Sequence, residues 1–371
     1  MPVARSLYRA AERLRRAVVP RRTDALTREG IARSILGCER FVAIDVGAAN
    51  GLLPHWELLN GAVDVYQVEP REEACDELTK INASAGLGSS RHVVCAGVSG
   101  SDGLRTLYVS NAPTGSSLLR FDPAAVEDCA DYVDPKYLFP ITEHQIATQR
   151  LSSIMDEAGE ARVDLIKLDI QGAELEALQG LGSKRLSSLL GAELEVGMHA
   201  FYPEEARFPA IEQFMNENGM ELFDVRVARV RRPLHGEDGA YETQIFSVDR
   251  NSPTVAARIW ELDAIYFRKK SLLLSRGDAG EVRRMALVYA TYNYYSEAHS
   301  LVEKAERVGI FDAGAAGELK QAIIDLHHVA NYRPWLANTP FWRWMRALGA
   351  RFAPRNAARW CQHMYQSYPN G

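Results

Sequence analysis

The chain has 371 residues, 47% hydrophobic and 25% charged, which is the composition of an ordinary globular protein and excludes a disordered, collagen-like or disulfide-scaffold one. Charges interrupt every apolar run before the roughly 18 residues that a bilayer span needs. The five cysteines, Cys38, Cys75, Cys95, Cys129 and Cys361, are scattered without a CxxC pair. Neither a zinc site nor a disulfide framework is therefore expected, and a reducing, cytoplasmic compartment is the default.

Taken in chain order, residues 1–22 come first, with seven arginines against the single acid Glu12. Phe41 to Gly47 reads as a buried parallel strand, short and rich in β-branched residues. It breaks at Gly47-Ala48-Ala49-Asn50-Gly51, and a helix is predicted from about Leu53, with Trp56 and Leu59 on one face. A second strand, Val63 to Val68, ends at Glu69-Pro70. The helix that follows is expected to bury Ala74, Leu78 and Ile81, with Glu72 and Glu73 at the positive end of its dipole. His92 to Cys95, Arg105 to Val109, Val163 to Ile170, Leu189 to Val196, Glu221 to Val227 and Leu262 to Arg268 read as further strands. Helices are predicted over Ala173 to Gln179 and over Glu204 to Asn218, the latter stopped by Gly219. Strands alternating with helices give an α/β fold with a mostly parallel sheet. Residues 271–330 read as purely helical, with Ala286, Tyr289, Ala290, Asn293 and Tyr294 on one stripe. The divisions expected are a basic N-terminal helical segment (1–34), the sheet domain (35–270), a helical extension (271–330) and a basic, Trp-rich tail (331–371).

The glycine loop sits between a strand and a helix, where missing side chains let a ligand approach the backbone. Glu69 closes the next strand, the place from which a carboxylate accepts hydrogen bonds from both hydroxyls of an adenosine ribose. Two ligands compete for such a loop. A dinucleotide favours G-x-G-x-x-G, but here the second glycine is replaced by Ala49 and the spacing is G-x-x-x-G. Asp45, just before the loop, repels a pyrophosphate and suits an ammonium group. S-adenosylmethionine has an ammonium, an adenosine and no phosphate, so the electrostatics favour it over NAD. Asp45 and Glu69 could alternatively serve only as structural caps.

Read with a later cluster, these residues resemble the FkbM family of S-adenosylmethionine-dependent methyltransferases. The resemblance is carried by Ile44 to Gly51, by Val68-Glu69-Pro70, and by Asp164-Leu165-Ile166-Lys167-Leu168-Asp169-Ile170-Gln171-Gly172-Ala173-Glu174. Glu193-Leu194-Glu195-Val196, Phe201-Tyr202 and the closing strand Leu262 to Phe267 add to it, over roughly residues 35–270. It implies a Rossmann-like class I methyltransferase sheet, here with a C-terminal helical extension, and O-methylation of a hydroxyl on a sugar, glycan or secondary metabolite. On this basis Asp45, Gly47, Ala48, Asn50, Gly51 and Glu69 are the candidate cofactor-binding residues. Asp169 is the first candidate for a base that takes the hydroxyl proton, and His199, whose ordinary pKa of about 6.5 suits the task, is the second. Glu174 is expected to support a helix N-terminus, and Lys167 to pair with a carboxylate. The chain departs from the family pattern at Gln171, where many members have Glu, and at Ser152, where many have Asp. No dense carboxylate motif is present, so no metal is expected. The rival reading is a non-catalytic binding or scaffold protein on a degenerate methyltransferase fold.

The charge is uneven. Residues 331–371 carry six arginines and no acid, and each end sums to +6, so the formal −5 of the whole leaves −17 on the body. The ends read as amphipathic helices. Leu7, Ala11, Leu14 and Val18 share one face, and Phe341, Trp344, Met345, Leu348 and Phe352 share another, flanked by arginines. Such helices either dock peripherally on an anionic membrane or pack on the acidic body, on each other or on a twin subunit in a homodimer. Nucleic acid is not an expected partner, because the acidic body opposes a phosphate backbone.

Overall fold

The computed structural model describes residues 28–111, 115–125, 140–199, 201–230 and 258–331. The expected amphipathic helices at 5–18 and 341–352 lie outside the described residues, as does the tail beyond Asn331.

Seven strands form one sheet in the order β3-β2-β1-β7-β8-β10-β9. These are β1 (Val42–Val46), β2 (Asp64–Glu69), β3 (Arg91–Cys95), β7 (Leu165–Leu168), β8 (Gly191–Gly197), β9 (Met220–Val230) and β10 (Arg258–Arg268). The first five in that order run parallel, and β10 is antiparallel to both β8 and β9. This is the Rossmann-like α/β sheet that the alternation predicts. β1 is buried along its whole length because helices cover both faces, which is why it reads as an unbroken apolar run with one acid.

One face carries Ala43, Val65, Leu165, Ile265 and Phe267. It packs against α1 (Arg28–Leu36), the 3₁₀-helix Pro54–Leu59, and α7 (Lys270–Arg276), α8 (Ala279–Thr291), α9 (Tyr295–Arg307) and α10 (Ala313–Asn331). Helices α7–α10 therefore share a hydrophobic core with the sheet. The other face carries Ile44, Val68, Ile166, Leu194 and Tyr266 and packs against α3 (Leu151–Glu157), α4 (Glu174–Gly180) and α6 (Phe208–Glu217). Helix α2 (Glu72–Ser84) follows β2, and α5 (Ser183–Ser188) precedes β8.

Several expectations need correction. The segment after the glycine loop is a six-residue 3₁₀-helix rather than an α-helix, with Pro54 in its first turn, although Trp56 and Leu59 are buried as predicted. In α2, Ala74 and Leu78 are buried but Ile81 is 51% exposed. Asn82 turns inward instead, donating to the buried Gln67 side chain at 2.8 Å. The predicted strand at Arg105 to Val109 is part of β5 (Gly103–Ser110). It lies in a separate three-stranded sheet with β4 (Gly97–Val98) and β6 (Pro140–Gln149), in the order β4-β6-β5. The helix expected from Glu204 begins at Phe208. Cys75 and Cys95 form a disulfide with their Cα atoms 6.0 Å apart, where the scattered cysteines suggested none. They are 20 residues apart in sequence, but the parallel β2–β3 pairing puts Cys95 opposite Glu69, beside the start of α2.

Candidate functional site

The parallel strands β1, β2, β7 and β8 end on one edge, and the residues singled out from the sequence gather there. The β1–3₁₀ loop is fastened to the neighbouring strand, with Gly47 N–H and Ala48 N–H both donating to the Val68 carbonyl at 3.0 and 3.2 Å. This brings Glu69 next to the loop. Gly47 adopts φ +79°, and a Cβ there would lie 1.9 Å from the Asp169 carbonyl oxygen. Its glycine is thus required by the protein's own backbone, a reason the ligand argument does not supply. Gly51, at φ +75°, has nothing within 4 Å of a Cβ position, so the approach to the loop is open there. Asn50 is exposed and Ala48 buried.

Glu69 is buried, and its Oε1 accepts from the Arg71 backbone N–H at 3.2 Å and from Arg71 Nε at 2.8 Å. Asp45 is 1% exposed, and neither carboxylate oxygen has a hydrogen bond. Its charge is met by Lys167 Nζ at 3.4 Å, which also sits 3.3 Å from Asp169 Oδ2. Lys167 therefore bridges the acid before the glycine loop and the acid at the end of β7. Burial works against the ammonium, but Asp45, Asp169, Glu193 and Glu195 together outweigh it and raise the pKa. The side chains suit the expected cofactor: a buried carboxylate whose oxygens accept no hydrogen bond for an ammonium, an acid at the end of β2 for a ribose, and a loop open at Gly51.

The Asp169–Gly172 loop is held in place. Gln171 takes φ +56°, a left-handed conformation unusual for a side chain of its type. Its amide reaches Asp169 Oδ1 at 3.3 Å and Glu195 Oε1 at 2.7 Å. Glu174 folds back onto the loop, with Oε1 accepting from Ile170 N–H at 3.0 Å and Oε2 from Gly172 N–H at 3.1 Å. Burial pushes its carboxyl up to about 7. His199 follows β8 on the same edge. Its Nε2 donates to the Ile259 carbonyl at 2.9 Å, and its ring packs against Phe201 and Trp260. That nitrogen is committed to holding the start of β10.

A buried polar network escapes sequence reasoning. Glu193 on β8 receives His55 Nε2 at 2.9 Å, Tyr292 Oη at 2.9 Å and Arg226 at 3.0 Å, while Trp56 Nε1 donates to the Tyr292 hydroxyl at 3.3 Å. Burial disfavours the Glu193 carboxylate, but His55 and Arg226 outweigh it and hold its pKa below the usual range. Beside it, Glu195 is pushed well above that range by burial and then by the charge of Asp169. Glu261 rises to about 7 through burial and Asp263, and Asp263 to about 6 through burial and Glu193. The signal available in the sequence was the pair of acids two apart in an otherwise apolar strand, which places both on one face.

Residues 45–222 match the family model described as the methyltransferase FkbM domain. Among curated proteins, the AMB antimetabolite synthetase AmbE of Pseudomonas aeruginosa is 30% identical over 79 residues, 21% of this chain; the match spans only 4% of the synthetase. Among solved structures, M. capricolum TrmK in complex with S-adenosyl-homocysteine is 8% identical, with 80% of this chain and 95% of that one covered at a TM-score of 0.30. A TehB-like SAM-dependent methyltransferase from Corynebacterium glutamicum is 13% identical, with 72% and 100% covered at 0.27.

Proposed function

We propose, from the FkbM methyltransferase domain that residues 45–222 of this chain form, that the protein is an S-adenosylmethionine-dependent O-methyltransferase acting on a hydroxyl of a sugar, glycan or secondary metabolite. The observation that carries this reading is the convergence of Asp45, the Gly47–Gly51 loop, Glu69 and Asp169 on one sheet edge, with Lys167 between the two aspartates.

The bound cofactor supplies the electrophilic methyl group, so the protein's work is to bind, orient and remove a proton. Asp45 and the loop receive the amino-acid end, with Asp45 aimed by Lys167. Glu69 keeps Oε1 on Arg71, which orients the carboxylate and leaves Oε2 for ribose hydroxyls. Asp169 accepts the acceptor hydroxyl's proton. Its two oxygens are fixed by Lys167 and by the Gln171 amide, so it is pre-oriented rather than free to rotate. A positioned base of this kind contributes about 10²–10⁴-fold. With Nε2 donating to the Ile259 carbonyl, the basic nitrogen of His199 is Nδ1, and this residue stays the second candidate base behind Asp169.

Calorimetric titration of the folded protein with S-adenosyl-homocysteine tests the cofactor half. No heat would favour the rival, a scaffold on a degenerate fold. Mass spectrometry of cellular glycans and small metabolites, with and without the protein, tests the transfer half by the mass of one added methylene.

A further inference from the structure

Cys75 and Cys95 close a bridge on the sheet edge where the cofactor residues gather. Cys95 is the last residue of β3, and the parallel register sets it opposite Glu69. Cys75 lies near the start of α2, with its Sγ 3.3 Å from the Glu69 carbonyl oxygen and its N–H donating to the Arg71 carbonyl at 3.0 Å. Arg71 in turn holds Glu69 Oε1 through its backbone N–H and its Nε. The bridge therefore spans the turn Glu69-Pro70-Arg71, which carries the candidate ribose-binding carboxylate. Further along α2, Leu78 is buried and Asn82 bonds Gln67 on β2. The body of the helix is docked by these contacts whatever the state of the bridge, whereas the start of α2 and the end of β3 are joined by the bridge itself.

The two sulfurs differ in access. Cys75 is 3% exposed, whereas Cys95 lies open to solvent. A thiol arriving from solution reaches Cys95 Sγ, and Cys75 is the sulfur that it displaces. Exposed disulfides are the ones that exchange with small thiols. We infer that Cys75–Cys95 is an exchange site for a low-molecular-weight thiol and its disulfide, and that the state of the bridge sets how firmly Glu69 is held for the cofactor. The inference rests on the methyltransferase reading and adds regulation to that site. In opening, a thiolate attacks Cys95 Sγ, the bond to Cys75 breaks, and Cys75 leaves as a thiolate that takes up a proton. A second thiolate attacks the small-molecule sulfur of the mixed disulfide and releases Cys95, which is protonated in the same way. Two small thiols are thereby oxidised to one disulfide, and their two electrons and two protons go to the two cysteines. Closing is the reverse, with the small disulfide as oxidant. Once open, the start of α2 and the end of β3 can separate on either side of the turn that carries Glu69, so the bridged form is the one that binds cofactor more tightly.

The test equilibrates the full chain in glutathione buffers from fully reducing to fully oxidising. In each buffer, mass mapping reads the state of Cys75 and Cys95, and calorimetry reads the affinity for S-adenosyl-homocysteine. The bridge is expected to open as the buffer becomes reducing, with glutathione caught in transit on Cys95 and not on Cys75. Opening should weaken S-adenosyl-homocysteine about fivefold or more, the lower end of the range for coupling between two sites. Linkage is reciprocal, so saturating S-adenosyl-homocysteine should favour the closed bridge by the same factor. A staple that served only to stabilise the fold would not respond to the ligand in this way. Cys95→Ser, at an exposed position, should bind as the reduced parent does in every buffer. Equal affinity of the bridged and open forms, a bridging equilibrium that S-adenosyl-homocysteine does not move, a bridge that stays closed under full reduction, or glutathione on Cys75 instead of Cys95 would each overturn the switch while the methyltransferase reading stands. Absence of S-adenosyl-homocysteine binding in both forms overturns both readings together.

Discussion

The two glycines of the loop sit in similar conformations for different reasons, so alanine at each should behave differently. At Gly47, φ is +79° and the new Cβ would fall 1.9 Å from the Asp169 carbonyl oxygen and 3.0 Å from its carbon. A left-handed alanine costs about 1–2 kcal/mol by itself. To relieve the overlap, the ends of β1 and β7 must separate by more than an ångström or so. That breaks the Asp169 N–H to Val46 carbonyl bond, now 3.2 Å, for about another 1 kcal/mol. Gly47→Ala should therefore lose about 3 kcal/mol or more, a large part of a typical domain's stability, and its binding of S-adenosyl-homocysteine should collapse with the displaced loop. At Gly51, φ is +75° but nothing lies within 4 Å, so Gly51→Ala should lose only the conformational 1–2 kcal/mol. Urea denaturation of both variants, paired with calorimetry, reads the difference. Equal stability losses, or a Gly47→Ala protein that binds as the parent does, would refute the reasoning from backbone contact.

Glu69→Ala should weaken S-adenosyl-homocysteine about ten- to hundredfold, the range for losing charged hydrogen bonds of about 1.5–3 kcal/mol, with Glu69→Gln falling between; unchanged calorimetric affinity in both would remove Glu69 from the site. Glu261 titrates near 7 in the fold against its usual 4.5, because burial and Asp263 oppose its charge. With the folded value above the unfolded one, its stabilisation is complete below about pH 4.5 and lost as pH rises to about 7. Glu261→Gln should accordingly raise the melting temperature at about pH 8 and leave it nearly unchanged at about pH 5; the opposite pattern in a pH series of melts would reverse the assigned sign. Tyr292→Phe removes a donor to Glu193 at 2.9 Å and the acceptor for Trp56 at 3.3 Å, and should cost about 1–3 kcal/mol in urea titration; no measurable loss would show that the network does not hold the helices to the sheet.

What could be read from the sequence follows from how burial writes itself into a chain. β1, β2, β7 and β8 are buried over most of their length, so each is mainly apolar, and the acids that interrupt, end or follow them stand out. Asp45, Glu69 and Asp169 were legible for that reason. β6 is exposed over most of its length and carries mixed polar residues, so nothing in Pro140–Gln149 marks a strand until its partner β5 is known. Helical periodicity put Ile81 inside, but the deciding fact was Gln67 on β2, a buried amide that needed Asn82. The 3₁₀-helix carries apolar residues on the expected face, and periodicity over six residues does not distinguish it from an α-turn. The Glu193 network joins residues 138 and 99 positions apart, a closeness that only the sheet order creates. His199 was legible as a residue on the right edge, but its bond to the Ile259 carbonyl depends on where β10 begins.

The buried charges explain why the C-terminal helices belong to the working part of the molecule. Asp45, Lys167 and Glu193 lie side by side across three strands, through the pairings Asp45–Lys167 and Lys167–Glu193. Setting ionised groups into the middle of a sheet is unfavourable unless each finds partners, and a partnerless one costs several kcal/mol. Lys167 answers Asp45 and Asp169 but reaches no further along the row with a hydrogen bond. Glu193 is answered instead by His55 from the segment after the glycine loop, Arg226 from β9 and Tyr292 from just past α8. Tyr292 thus connects the extension to the carboxylate next to Lys167, and through Trp56 to the turn that follows the loop. The row of charges at the sheet edge can stay buried because these helices close over it. An arrangement that needs such support from a distant segment is better suited to holding Asp45 and Asp169 in fixed positions than to stabilising the fold, which an apolar row would do at least as well.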